Sequence, residues 1–331
     1  MTTSTRTRVL TRRDVRAVLD ARTCIDAVEH TFRLHAQGET FGLGILGTHV
    51  DGGGFHVKVA GITGPRPYYA AKTNANRPGN PRSFGLPTIQ GVIALYDATN
   101  GVPIALMDSI EITLLRTAAA SAVAAKYLAR EDARVMTIIG CGAQALPHAR
   151  AMREVRALER IWAFDADPAR ASAFAQEASA ALGIPVMVTS DFRSAARSSD
   201  IVVTCTPSRT PFLGAEDVRE GSFVAAVGAD SDDKQELTTE LMAASAVVVD
   251  VLDQCAEIGE LHHALENGAM TREDVRTDLA GLVSGVAVRR SPNECVVFDS
   301  TGTALQDVAA AAITYERSCE RGIGLELSLA D

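Results

Sequence analysis

Four short stretches carry residue types that could do chemistry. In Val227-Gly228-Ala229-Asp230-Ser231, followed by Lys234-Gln235-Glu236-Leu237, a carboxylate comes directly after an apolar run. At the edge of a sheet such an acid can move protons to or from an amine, an imine or an attacking water if burial tunes its pKa; it could equally close an Asx turn or cap the next helix. Lys72, in Lys72-Thr73-Asn74-Ala75-Asn76, is a compact cation closing a strand. It suits a carboxylate on a small molecule, or is a surface lysine near a turn. Arg116-Thr117 lies inside the apolar run 112–125, where a guanidinium must leave the helix surface, pair with a structural acid, or grip a carboxylate or pyrophosphate with two parallel donors. The fourth stretch, Gly140-Cys141-Gly142-Ala143-Gln144-Ala145, offers glycines and small side chains that let backbone approach phosphate.

That glycine-rich turn has the setting it needs. The apolar run Val135 to Ile139 precedes it, a helix follows, and a second strand, Ile161-Trp162-Ala163-Phe164, ends at Asp165. Gly140 permits the tight turn, Gly142 lets a pyrophosphate approach, and Ala145 lets the helix pack on the strand. Asp165 is placed to accept hydrogen bonds from an adenosine ribose and to repel a 2′-phosphate. NAD(H) is therefore expected over NADP(H), with Arg170 the nearby cation that could favour the phosphate. A glycine turn in an unrelated α/β protein would have no reason to keep both strands and the acid in register.

Alternation of strand and helix continues through Pro185–Val188, Ile201–Thr204, Phe223–Val227 and Val247–Val251, giving six expected strands of a doubly wound Rossmann sheet. The region before it reads differently. Thr11-Arg12-Arg13-Asp14 caps a short helix, an amphipathic helix spans about 23–37, and strand-like segments occupy 55–60, 68–73 and 88–96, with turns at Gly52-Gly53-Gly54 and Pro78-Gly79-Asn80-Pro81. A long alanine-rich helix, about 111–129, leads into the Rossmann sheet as a hinge element. An alanine-rich helix from about Ala304 to Cys319 is expected to return and complete the first domain. The fold class is thus α/β: a Rossmann domain over 126–303, and an α+β substrate-binding and dimerisation domain over 1–125 and 304–331.

Composition narrows the functional classes. With 331 residues, 47% of them hydrophobic, and a net charge of −9, the chain has ample core and no basic field for nucleic acid or an anionic membrane. No apolar run reaches the ~18 residues of a membrane span, and the N-terminal stretch lacks a signal-like core, so a cytoplasmic protein acting on small molecules is expected. The six cysteines lie far apart and read as reduced, buried thiols. His262-His263 reads as structural rather than as a ligand pair, since adjacent helical side chains diverge, and no metal is expected.

Taken together, the Lys72-Thr73 strand, Leu115-Arg116-Thr117-Ala118-Ala119, the turn at Gly140 to Gln144, Val227 to Asp230 and Phe298-Asp299-Ser300-Thr301-Gly302 resemble, in order and spacing, the ornithine cyclodeaminase and mu-crystallin family over essentially the whole chain. The resemblance implies a homodimer and hydride transfer between nicotinamide C4 and the α-carbon of an amino or imino acid. By position it implies that Lys72 and Arg116 hold the substrate carboxylate, with Asp230 as acid/base and Lys72 also catalytic if it polarises the imine. Thr88, Arg116, Gly140, Gly142, Ala143, Gln144, Asp165, Thr206, Lys234 and Ser300 would line the dinucleotide, with Thr301 beside the substrate.

The sequence departs from the cyclodeaminase pattern at the substrate end. His56 stands where that pattern has a glutamate for a distal amine, Lys58 where it has a methionine, and Thr301 where it has an aliphatic residue. No arginine precedes this strand between Phe41 and Val50, so Lys58 is the expected substitute in the carboxylate clamp. These departures point away from ornithine cyclisation and toward an NAD(H)-dependent amino-acid dehydrogenase or cyclic ketimine reductase. The alternatives are a cyclodeaminase that recycles its NAD internally, and a non-catalytic binder of small ligands.

Overall fold

The computed structural model describes residues 6–286, 288–289 and 291–329. The chain divides into two compact units, one comprising Met1–Arg116 and Thr303–Asp331, the other Thr117–Gly302.

The first unit is built on a sheet of seven strands. β1 (Arg6–Leu10) is followed by two helices, Arg12–Val18 and Ala21–Ala36. The first of these has the expected capping box between Thr11 and Asp14. Five strands then form an antiparallel meander: β2 (Thr40–Val50), β3 (Gly53–Ile62), β4 (Tyr68–Asn76), β5 (Ile89–Asp97) and β6 (Pro103–Asp108). β1 lies parallel to β6, and a closing strand, Leu325–Ser328, lies antiparallel to β1 at the sheet edge. The helix Ala304–Arg321 packs on β3, β4 and the helix Ala21–Ala36. Its stretch Ala304–Ala312 is buried on every side, which its small alanines allow because they admit close backbone approach. Gly322, at φ 63°, ends it in the left-handed region that a side chain disfavours.

The second unit carries an all-parallel sheet. Its strands are β7 (Val135–Ile139), β8 (Arg160–Phe164), β9 (Val186–Val188), β10 (Ile201–Thr204), β11 (Phe223–Ala226), β12 (Ala246–Val249), β13 (Thr277–Asp278) and β14 (Val296–Asp299). The spatial order is β13-β12-β14-β11-β10-β7-β8-β9. The expected six-stranded sheet therefore has eight strands, with β14 inserted between β11 and β12. β10, β11, β12 and β14 are buried at every residue, as continuous apolar runs in a sheet covered on both faces should be. The strand order reverses between β7 and β10, the switch point where open α/β sheets bind ligands at the carboxyl ends of their strands.

Candidate active site

In the first unit, β4 carries Lys72 at 3% exposure, and the helix Ser109–Leu128 carries Arg116 at 5%. Neither cation lies on the surface. Both pair with Asp307, itself 1% exposed: Lys72 Nζ lies 2.6 Å from Oδ2 and Arg116 Nε 3.0 Å from Oδ1. Arg116 Nη1 also donates to Gln306 Oε1 at 2.6 Å. Arg116 thus has the structural acid that was one of its expected fates, yet two buried cations still share one carboxylate. Lys58 stands directly across from Lys72 in the β3/β4 register, and two like charges at such a position destabilise a sheet unless an anion joins them. Burial pushes the Lys72 ammonium down to about 7, against the pull of Asp307, and Arg116 and Lys58 add to the drop. Burial drives the Asp307 carboxyl up, but Lys72 and Arg116 override it and hold the group below the ordinary carboxylate range.

Thr88 precedes β5 in the same unit, its carbonyl accepting from Arg77 N–H at 2.8 Å. His56 faces Asn74 across the β3/β4 pair. Asp307 and Gln306 are absent from the residues singled out in the sequence. The signal was present: an acid and an amide inside the apolar run Ala304-Leu305-Gln306-Asp307-Val308, the same pattern that draws attention to Arg116.

The second unit gathers its residues at the carboxyl ends of its strands. Gly140 ends β7 at φ 99°, and a β-carbon there would come within 2.8 Å of Cys205 O and 2.9 Å of Thr206 Cγ2. Gly142 is exposed and meets nothing within 4 Å, so its glycine leaves open space. The helix Ala145–Val155 begins after Gln144 with no side-chain cap, leaving first-turn N–H groups for an anion. Gln144 Oε1 is buried without a hydrogen-bond partner. The glycine turn and the uncapped helix N-terminus fit a dinucleotide pyrophosphate, whereas the Gln144 oxygen fits a donor such as a ribose hydroxyl. Asp165, at the end of β8, accepts from Cys141 N–H at 2.8 Å and from Asp167 N–H at 2.9 Å. It therefore ties down the glycine turn, a task its sequence setting does not reveal. Arg170 is drawn to Asp167 at 3.5 Å.

Beyond β10 and β11, a buried acid organises the loops. Glu236 accepts from Thr206 N–H at 2.6 Å, Thr204 Oγ1 at 2.7 Å and Gly228 N–H at 2.8 Å. Its backbone N–H is held in turn by Glu260. Burial pushes Glu236 up, and burial with Glu236 and Asp299 pushes Glu260 well up. Asp230 differs from expectation. Its side chain is 55% exposed and bound to Lys234 Nζ at 2.5 Å, so burial does not enclose this carboxylate within its own unit.

Ser300 and Thr301 follow β14 and are buried. Asp250, beyond β12, accepts from Gly302 N–H at 2.7 Å, Thr301 Oγ1 at 3.1 Å and Ser300 Oγ at 3.4 Å. Thr301 Oγ1 also accepts from Gln254 Nε2 at 2.8 Å, so its hydroxyl is committed on both sides to holding this loop. His262 and His263 converge rather than diverge, with ring centroids 5.1 Å apart. With Glu266 they bring one potential ligand atom each within 4.8 Å of one another. His263 Nε2 also donates to Lys234 O at 2.8 Å and braces the Asp230–Lys234 loop.

A buried cluster of two cations on one acid in an α+β unit, and a glycine turn at the switch point of a doubly wound sheet, mark a protein of the dinucleotide-binding class. The chain matches the ornithine cyclodeaminase/mu-crystallin family over residues 5–322 and belongs to it. It is 35% identical over 322 residues to an alanine dehydrogenase of Archaeoglobus fulgidus, a match covering 97% of this chain and 98% of the relative. Among solved structures, an archaeal alanine dehydrogenase dimer with bound NAD superposes with a TM-score of 0.93 at 35% identity, covering 98% and 99% of the two chains. The Δ1-pyrroline-2-carboxylate reductase of Thermococcus litoralis, in complex with NADH and L-proline, superposes with a TM-score of 0.93 at 31% identity, covering 97% and 100%.

Proposed function

We propose that this chain is an NAD(H)-dependent oxidoreductase that interconverts an α-amino acid and its α-imino acid, as an amino-acid dehydrogenase or a reductase of cyclic ketimines of the Δ1-pyrroline-2-carboxylate type. The observation that carries the reading is the buried Lys72–Asp307–Arg116 cluster, in which two cations share one acid. A further negative charge offsets the excess of cations, and buried charges are tolerable only when balanced. An α-carboxylate is that charge, and alanine, proline and Δ1-pyrroline-2-carboxylate, named for the relatives above, each place a carboxylate beside a C–N bond.

In this proposal Lys72, Arg116 and Lys58 hold the carboxylate, and Lys72 is poised near neutrality to polarise an imine. In the second unit Gly140, Gly142, Ala143, Gln144, Asp165, Thr206, Lys234 and Ser300 are the NAD(H) contacts, and the family resemblance adds Thr88 and Arg116. When bound, the nicotinamide supplies the two-electron acceptor or donor for the α-carbon. Asp230 moves the accompanying proton, with Lys234 holding its carboxylate in place. Thr301 acts through its loop. A homodimer is part of the proposal: β2, at the sheet edge, leaves Phe41, Leu43, Ile45 and Leu46 exposed, a row of apolar side chains and unpaired backbone that a second copy would cover. So is a cytoplasmic location, which suits six free thiols.

The test is a panel of amino acids with NAD+ or NADP+, and of cyclic ketimines or keto acids plus ammonia with NADH or NADPH. Net NADH change at 340 nm is expected for at least one α-amino or imino acid, with NADH favoured over NADPH. Product release from ornithine without net NADH change would identify a cyclodeaminase instead, and absence of any amino-acid binding would refute the proposal.

A further inference from the structure

Two cations, one acid and a neutral amide make an arrangement more specific than carboxylate binding alone requires. The two oxygens of Asp307 take one cation each, Lys72 Nζ on Oδ2 at 2.6 Å and Arg116 Nε on Oδ1 at 3.0 Å. Both contacts are ion pairs, and Gln306, the preceding residue on the same helix, fixes the guanidinium from a second direction through Nη1. Lys72 comes from β4, Arg116 from the helix Ser109–Leu128, and Asp307 from the first turns of Ala304–Arg321. A single carboxylate therefore sets the spacing of donors carried by two separate elements, and both cations keep N–H donors that Asp307 does not use.

We infer that Asp307 is a positioning residue: it spaces Lys72 and Arg116 as one clamp and leaves the buried subsite able to admit one carboxylate. The inference rests on the carboxylate-binding role proposed above for those two cations. The charged groups facing Lys72 are Lys58 from β3, Arg116 from its helix and Asp307; on the helix Ala21–Ala36 the Cys24 thiol faces Arg116. Of these, Asp307 alone pulls the Lys72 ammonium toward the charged form, and burial, Arg116 and Lys58 all oppose it. Without Asp307 the ammonium would lose its proton already below neutral pH, and the Lys72–Arg116 clamp would lose half its charge.

The chain has four lysines, Lys58, Lys72, Lys126 and Lys234, so NMR of protein labelled at lysine Cε resolves them, with Lys72→Arg assigning the signal. The expected Lys72 midpoint is about 7 in the wild type, at least ~1 unit lower in Asp307→Asn, and restored in Asp307→Glu. With NAD+ present, L-proline or L-alanine should raise the midpoint. KM for the amino acid in Asp307→Asn should rise about tenfold at pH 8, where the protonated fraction falls about tenfold, and return toward the wild-type value near pH 5.5. A merely structural defect would be insensitive to pH. An unchanged Lys72 midpoint in Asp307→Asn overturns the inference.

If Asp307→Asn fails to fold, Asp307→Glu carries the test. It keeps the charge but moves it by one methylene, so kcat should fall at least ~10-fold with NADH affinity and the Lys72 midpoint retained. A wild-type kcat there overturns the inference. Failure of the wild type to bind any amino acid would instead refute the function proposed above, while the lysine titration still decides the role of Asp307.

Discussion

Asp299 offers a sharp test of how the second unit carries its buried acids. Its carboxyl ends β14 at 1% exposure, accepting from Leu261 N–H at 2.9 Å. Burial, with Asp250 adding to it, pushes the group from the usual 3.8 up to about 7, although the Leu261 N–H pulls the other way. Because the folded-state pKa is raised, the folded form holds a proton that the unfolded chain has already released. The contribution is fully present below the unfolded pKa and is lost as pH rises through about 7. At ~1.36 kcal/mol per unit, the full loss is on the order of 4 kcal/mol, of which about 2 kcal/mol falls between pH 5.5 and pH 8.

Asp299→Asn keeps an oxygen to accept from Leu261 but removes the titration. Its unfolding free energy should therefore decline less between pH 5.5 and pH 8 than that of the wild type, by about 2 kcal/mol. Denaturation in urea across that range measures it. The single tryptophan, Trp162, lies on β8 of the same sheet, so its fluorescence follows this unit even if the two units unfold separately. Parallel pH profiles for the two proteins would refute the reasoning, and so would a variant that loses stability faster than the wild type above pH 7.

Three further outcomes follow from the site. Asp230→Asn should keep NADH affinity and lower turnover at least ~10²-fold, the usual scale for a general acid–base group; retained turnover would remove Asp230 from proton transfer. Asp165→Ser should narrow the preference for NAD(H) over NADP(H), read as the ratio of kcat/KM values, and should also weaken binding of both cofactors because the Cys141 N–H loses its acceptor; a wild type that prefers NADPH would contradict the role given to Asp165. Gly140→Ala should lower Tm, since its β-carbon would strike Cys205 O at a positive φ, whereas Gly142→Ala should leave Tm unchanged and weaken NADH binding in a fluorescence titration. Equal stability loss in both would show that Gly142 is structural too.

Local pattern was enough for much of this protein. The glycine turn, the apolar runs of β7 and β8, and the acid ending β8 announced a dinucleotide-binding sheet, because a βαβ unit is specified by contiguous residues whose periodicity and turn chemistry lie within about thirty positions. Lys72, Arg116 and Asp230 were legible as polar groups in apolar or glycine-rich surroundings. β2 was not, since its glycines and lack of alternation give no strand pattern, and its conformation comes from pairing with β3. β14 was visible as an apolar run, but its insertion between β11 and β12, which brings Ser300 and Thr301 to Asp250, is a matter of sheet order. Burial was decided at the same level: Lys72 lies in the core, whereas Asp230 stays exposed in its own unit beside Lys234. Asp307 joins Lys72 and Arg116 across more than 190 residues, and that ion pair exists only because the alanine-rich last helix packs back onto β3 and β4. Helix and strand periods carry no information about which distant charge a buried cation will meet; packing the two segments of the first unit together decides it.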